Sequence, residues 1–308
     1  MRWTLGSMPD QTGRIVLVTG ATSGLGLASA VALAGAGARV LLTARDPERG
    51  KAAVERVLRE GGPGAELVEL DLADLDSVRR AAADVRDRTG DTLQVLMNNA
   101  GVMATPPRVT VDGFELQIGT NHLGHAALTW LLMPALRGAG AARVVTLSSL
   151  AHRSGGLVVD DLHFARRPYL ASRAYSQSKL ANLLFATELD RRLRAAGSDV
   201  ISVAAHPGVT GTELLANSMR HRSGLLATLT APLNTLFTQN VRTGMLPQLY
   251  AATAPQIRGG DYVGPGGPGE MFGHPRPARR SAAAADEDLA DRLWATTATV
   301  TDVQPDPA

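Results

Sequence analysis

The chain has 308 residues, 44% of them apolar and 19% charged, and a formal net charge of only +2. That balance describes a globular protein, since disorder needs fewer apolar residues and more net charge. The near-neutral charge, with no dense Arg/Lys stripe among aromatics, argues against nucleic-acid binding, and the absence of cysteine excludes disulfides, thiolate metal sites and a thiol nucleophile.

The opening residues, MRWTLGSMPD, hold no apolar signal-peptide core. Ile15–Thr19 then reads as a buried strand and Leu25–Ala34 as a Leu/Ala-rich helix. Val40–Thr43, Leu67–Leu70, Leu93–Met97, Val144–Leu147 and Val200–Ala204 read as further strands, with helices near 47–60, 74–88, 114–137 and 174–196 between them. This alternation predicts an α/β fold, a parallel sheet with helices on both faces. Right-handed crossovers make it a single Rossmann-type doubly wound sheet of about seven strands.

Past Ala205 the rhythm loosens. Residues 206–258 read as a loop and short helices, 259–275 as turns around a brief strand at Asp261–Val263, 284–297 as a last helix, and 302–308 as a frayed tail. No linker marks a second domain, so the expectation is one domain over 1–308, with a core at 14–205 and a substrate-side elaboration at 206–300. No run reaches the ~18 apolar residues of a membrane span. The nearest, Leu225 to Phe237, is broken by Pro232 and Asn234 and reads as a greasy lid or surface helix. A cytoplasmic location is expected.

Directly after the first strand stands Thr19-Gly20-Ala21-Thr22-Ser23-Gly24-Leu25-Gly26. Glycines at 20, 24 and 26 allow a tight turn and close approach of backbone to a pyrophosphate, and the helix start offers N–H donors. A plain strand-to-helix turn would use the same glycines. The second strand ends Thr43-Ala44-Arg45, where an acidic residue would suit a ribose hydroxyl and an arginine suits a 2′-phosphate. Arg45 thus favours NADP(H) over NAD(H), unless it is a solvated surface residue. Arg14 is either a helper or surface decoration. Asp71, with Leu72 beside it, is placed either to bond an adenine amino group or to cap the next helix.

Lysine occurs only twice in this arginine-rich chain, and one copy, Lys179, follows Tyr175 by four residues. On a helix these positions share a face. The compact ammonium favours the phenolate and lowers the Tyr pKa from about 10, giving a proton donor usable near neutral pH. A planar guanidinium would not substitute for it.

TGATSGLG at 19–26, NNAG at 98–101, Ser149, and YSQSK at 175–179, together with Asn121 in TNHLGH and the run from Pro207 to Thr212, resemble the short-chain dehydrogenase/reductase (SDR) family over about 14–300. RVVTLSSLAH, YSQSKLANLLF and AAHPGVTGTEL are similar to its retinol-dehydrogenase and WW-domain-containing-oxidoreductase branch. The resemblance implies Tyr175 as general acid in carbonyl reduction and Lys179 as the holder of the nicotinamide ribose. It implies Ser149 as a hydrogen-bond donor to the substrate oxygen, and Asn121 at a helix kink positioning a water. Gly20, Thr22, Ser23, Gly24, Leu25 and Gly26 would hold the phosphates. Asn99, Ala100 and Gly101 would line the adenosine side, and Pro207, Gly208, Val209, Thr210 and Thr212 would wrap the nicotinamide. Ser148 would satisfy nearby backbone. Ser149 and Tyr175 are 26 positions apart, and the intervening Leu150–Arg173 reshapes the substrate mouth.

The physics asks for the same parts: carbonyl reduction builds negative charge on one oxygen, which two hydroxyl donors stabilise. A serine hydrolase is disfavoured because no G-x-S-x-G elbow occurs. His122, His125, His152 and His163 show no metal-ligand spacing and read as packing or surface residues. The expected function is an NADP(H)-dependent oxidoreductase acting on a small-molecule ketone, aldehyde or alcohol, apolar in view of the leucines of 213–237. The alternative is a non-catalytic NADP(H)-binding sensor or scaffold. Family members often pair through the helices at 114–137 and 174–196, so a homo-oligomer is possible there.

Overall fold

The structure is a computed structural model that describes residues 2–209 and 241–307. Its strands are β1 (Ile15–Val18), β2 (Arg39–Ala44), β3 (Ala65–Glu69), β4 (Val95–Asn98), β5 (Arg143–Leu147), β6 (Ile201–Ala205), β7 (Tyr262–Pro265) and β8 (Pro275–Pro277). They form one sheet in the order β3-β2-β1-β4-β5-β6-β7-β8. Every pair is parallel except β7 with β8. Strands are added to one side of β1 up to β3 and to the other side from β4 onward, and a ligand crevice opens at such a switch point between β1 and β4.

Alternating side chains explain why helices cover both faces. Leu17 on β1 joins Leu41, Leu96 and Val144 in one core, while Val16 and Val18 join Val40, Leu42 and Met97 in the other. The second core receives α1 (Gly24–Gly35) and α2 (Pro47–Glu60), and the first receives α3 (Leu75–Thr89). Asp46 caps α2 by accepting from the N–H groups of Glu48 and Arg49, and Pro47 opens it. Asp74 does the same for α3, which ends at Gly90 with φ +57. Ser23 makes no such side-chain cap on α1.

Three parts differ from the sequence expectation. The helix expected over 114–137 is divided into α4 (Leu116–Ile118), a π turn at Gly119–Leu123, α5 (Gly124–Leu131) and α6 (Met133–Gly138). Pro134, in the first turn of α6, has no N–H to give the Trp130 carbonyl, so the ladder breaks at Leu132. The sheet has an eighth strand, a three-residue edge strand whose terminal prolines suit that position.

The tail is docked rather than frayed. Val303 is buried, Arg79 bonds the Thr301 and Asp302 carbonyls, and Arg137 pairs with Asp306.

The C-terminal helix Glu287–Thr301 packs along α7 (Ala171–Ala195) and α5. Trp294 stacks on Phe185 at 5.5 Å, meets Trp130 edge-on at 4.9 Å, and lies under the Arg192 guanidinium. The helix therefore lies over part of the two helices through which a homo-oligomer was expected. No helix among the described residues is long and apolar enough to cross a membrane.

Candidate active site

A cleft of about 490 Å³ opens at the carboxyl ends of β1, β2, β4 and β5. Its walls bring together Gly20, Thr22, Ser23, Leu25, Gly26, Arg45, Asp71, Leu72, Asn99, Ala100, Gly101, Tyr175, Lys179 and Pro207. Gly24, Asn121, Ser149, Gly208 and Val209 are not among its walls. Thr210, Thr212 and the Leu225–Phe237 segment lie outside the described residues. Arg14 is not near the cleft: it precedes β1 at the sheet's opposite end, bonded to Gln11 Oε1 at 3.0 Å.

The glycine loop is built for a close approach. A Cβ on Gly20 would meet the Ala100 backbone at 2.8 Å, and one on Gly26 would meet the Gly20 carbonyl at 2.5 Å. Gly24 has φ +55, a conformation that disfavours any side chain. With no side-chain cap from Ser23, the first N–H groups of α1 face the cleft as an anion site.

Asp71 is not the cap of α3, which is Asp74. Its Oδ1 accepts from Ala73 N–H at 2.9 Å while it borders the cleft. Arg45 is exposed at the cleft mouth, and Arg49, one turn on, stands beside it. Sequence reasoning missed Arg49, although its i+4 spacing from Arg45 was available. It also missed Thr120, whose Oγ1 is buried along the cleft with no hydrogen-bond partner among the described residues. The glycine loop, the helix start without a side-chain cap and the two arginines fit a nicotinamide dinucleotide.

At the other end of the cleft the catalytic candidates converge. Tyr175 and Lys179 lie on one face of α7, 8% and 5% exposed, and both border the cleft. Lys179 Nζ donates to the Leu147 carbonyl at 3.2 Å and sits 5.8 Å from the Tyr175 ring centre. Asn182 Nδ2 donates to the same carbonyl, which fixes the end of β5 against α7. Ser148 Oγ donates to the Lys179 carbonyl at 2.8 Å, so it is spent on backbone, as expected. Ser149 Oγ accepts from Ala151 N–H at the start of the 3-10 helix Leu150–Arg153.

Asn121 occupies the π turn. Its Oδ1 accepts from Val102 N–H at 2.8 Å, and its Nδ2 donates to the Val102 carbonyl and to Ser178 Oγ. It lies directly behind Gly101, where a Cβ would meet Asn121 Oδ1 at 3.3 Å and Lys179 Nζ at 3.4 Å.

The two ends are joined through Thr19 and His125, a link that no motif announced. Thr19 Oγ1 accepts from Ala100 N–H and Asn99 N–H, both at 2.9 Å. The Asn121 carbonyl, 2.9 Å from His125 Nδ1, can only accept, so Nδ1 carries the hydrogen. Nε2 then accepts from Thr19 Oγ1 at 2.8 Å. Burial pushes His125 down to about 4 and keeps it in this neutral form.

The other three histidines weighed as metal ligands, His122, His152 and His163, are also spent on the fold. His122 bonds Thr297 Oγ1, His152 Nδ1 bonds the Ser149 carbonyl, and His163 Nδ1 accepts from Glu115 N–H. Among the described residues no group of three or more His, Asp or Glu is placed to hold a metal ion.

The segment between Ser149 and α7 is latched beside the cleft. Tyr169 OH donates to the Thr105 carbonyl at 2.9 Å and accepts from Gln117 Nε2. Gln117 Oε1 in turn holds Ala104 N–H.

The sequence profile of the family described as short chain dehydrogenase matches residues 14–223. The chain is 42% identical over 293 residues to polyprenol dehydrogenase of Mus musculus, covering 94% of this chain and 84% of that protein. It is 38% identical over 299 residues to retinol dehydrogenase 13 of Homo sapiens, covering 96% and 87%. A solved structure of an uncharacterized protein from Mycobacterium Paratuberculosis is similar at a TM-score of 0.81 and 43% identity, covering 99% of both chains. The Pseudomonas aeruginosa RhlG/NADP active-site complex is similar at a TM-score of 0.56 and 25% identity, covering 82% of this chain and 94% of that one.

Proposed function

This chain belongs to the short-chain dehydrogenase/reductase family, in its retinol-dehydrogenase-like branch, and from that premise we propose that it interconverts an apolar ketone or aldehyde and the matching alcohol with NADP(H). The observation that carries this reading is one cleft with Tyr175 and Lys179 at one end and Arg45 and Arg49 at the other. The preference for NADP(H) rests on that arginine pair, on Ala44 rather than an acidic residue at the end of β2, and on Asp46 being spent as the cap of α2. The apolar substrate is supported by the names of the relatives, a polyprenol and a retinol dehydrogenase.

A bound nicotinamide supplies or accepts the hydride at the substrate carbon. In reduction, Tyr175 Oη gives its proton to the carbonyl oxygen as charge builds there. The Lys179 ammonium, held by the Leu147 carbonyl, favours the phenolate that remains. Ser149 donates its own O–H to the same oxygen, while its Oγ goes on accepting from Ala151 N–H. The Asn121 side chain is spent on Val102 and Ser178, so the group it would offer a proton-relay water is its main-chain carbonyl, which His125 Nδ1–H already shares. Oxidation of an alcohol uses the same groups in reverse.

A titration of NADPH and NADH, followed by a panel of carbonyl compounds, tests this reading. Tighter NADPH binding and turnover of apolar ketones or aldehydes are expected. Turnover of small charged carbonyls alone would overturn the apolar assignment, and cofactor binding without any turnover would favour a sensor.

A further inference from the structure

The turn between β7 and β8 reaches back to the exit of β6. His206, the residue after β6, is fully buried. Its Nδ1 accepts from Gly208 N–H at 3.2 Å, so Nε2 carries the hydrogen and points at Glu270 Oε2, 3.2 Å away. Gly264 on β7 makes room for this ring, since a Cβ there would come within 1.9 Å of Nε2.

Glu270 gathers donors from three segments. Besides His206 it accepts from Arg153 Nη2 at 2.6 Å and from Arg279 N–H at 3.0 Å. Burial alone would raise its pKa, but the Arg279 N–H and the charge of Arg153 hold it below the usual carboxylate range. Arg153 ends the short helix that Ser149 caps. Met271, next to Glu270, accepts from Val209 N–H at 2.9 Å. One carboxylate thus registers both the loop after β6 and the turn carrying Ser149 against a single hairpin.

Strand order tells which end of the cleft this loop serves. Arg45 follows β2 and Pro207 follows β6, four strand positions apart across β1, β4 and β5. At about 4.8 Å per strand that is roughly 19 Å, and Pro207 shares its end with Lys179, which is tied to β5.

We infer that Glu270 and His206 are a positioning pair that holds Pro207–Val209 against the nicotinamide half of the cofactor and in register with Ser149. Neither residue touches the cleft; both act through Gly208 and Arg153. The inference rests on the reading that a nicotinamide dinucleotide occupies the cleft.

Titrating NADPH and adenosine 2′,5′-bisphosphate, which lacks the nicotinamide half, into wild type and variants tests it. Glu270→Gln keeps the shape but removes the charge that His206 and Arg153 share, and its amide N–H must face either that pair or the Arg279 N–H. It should weaken NADPH binding about tenfold, the worth of one charge-assisted hydrogen bond, and leave the bisphosphate unchanged. Glu270→Asp should recover part of the loss. Should Glu270→Gln fail to fold, Gly264→Ala displaces the same ring without touching the carboxylate and should give the same split. Unchanged NADPH binding, or equal weakening of both ligands, would overturn the positioning role while leaving the proposed function standing. A wild type that binds neither ligand would overturn the reading of the cleft, and the pair's role with it.

Discussion

Replacing Thr19 by valine probes the joint between the two ends of the cleft. The two side chains have nearly the same volume, so the change removes a hydroxyl and little else. In the native structure Thr19 is fully buried, and its Oγ1 serves Asn99 N–H, Ala100 N–H and His125 Nε2. Asn99 N–H keeps a second acceptor in the Met97 carbonyl. Ala100 N–H and His125 Nε2 lose theirs. The buried His125 Nε2 left unpaired costs about 1–3 kcal/mol, and the half-buried Ala100 N–H at the cleft wall adds less, so Thr19→Val should lose about 1–4 kcal/mol. Thr19→Ser keeps the oxygen and drops one methyl, for a loss of about 1 kcal/mol. Urea denaturation of the three proteins, with NADPH titration beside it, measures both effects. A Thr19→Val variant less stable by under about 0.5 kcal/mol, no more than an ordinary surface substitution, would refute the role given to this hydroxyl.

Arg45→Asp should weaken NADPH binding about 10- to 100-fold and NADH binding far less, since a charged contact to a 2′-phosphate is lost only for the former. An unchanged NADPH/NADH ratio in the same titration would remove Arg45 from the site. Trp294→Ala deletes a fully packed ring between Phe185, Trp130 and Arg192, and should cost about 3–5 kcal/mol in urea unfolding. Stability should also fall as pH drops. Burial holds His122 down to about 3, and His125 and His206 to about 4. Their unfolded value is about 6.5, so the unfolded chain binds protons first and stability is lost from about pH 6.5 downward. By pH 5 the loss is about 2 kcal/mol per histidine, and urea unfolding that is flat between pH 7 and about pH 5 would contradict their burial in neutral form.

The parallel sheet was legible because β1, β2, β4, β5 and β6 are short apolar runs spaced by helices. The strand Asp261–Val263, expected from the turn-rich stretch, is β7 displaced by one residue at its start. β8 was not legible, since Pro-Arg-Pro carries no strand preference and is held by pairing to β7 alone. Of the two breaks in the 114–137 helix, the one at Leu132 was marked by Pro134, whereas the π turn, implied only by the resemblance, depends on Asn121 bonding a backbone 19 residues away. The tail looked loose because its anchors, Arg79 and Arg137, lie far upstream in the chain.

At the site, the residues with a chemical reason to sit together were readable: the glycine loop, Arg45, and the Tyr175 and Lys179 pair. The supporting contacts were not. Thr19, His125, His206 and Glu270 act through hydrogen bonds between distant segments, and each alone resembles an ordinary buried polar residue. Ser149 was singled out by resemblance, and its hydroxyl is turned to Ala151 N–H rather than lining the cleft.

In the proposed reaction Tyr175 delivers the proton from beside the Lys179 ammonium. Turnover of an apolar ketone by Tyr175→Phe, with NADPH affinity measured on the same preparation, tests it most directly. The rate should fall by about 10²- to 10⁴-fold, the share of a positioned general acid, while NADPH binds as in wild type. A variant with intact binding and a wild-type rate would contradict the account.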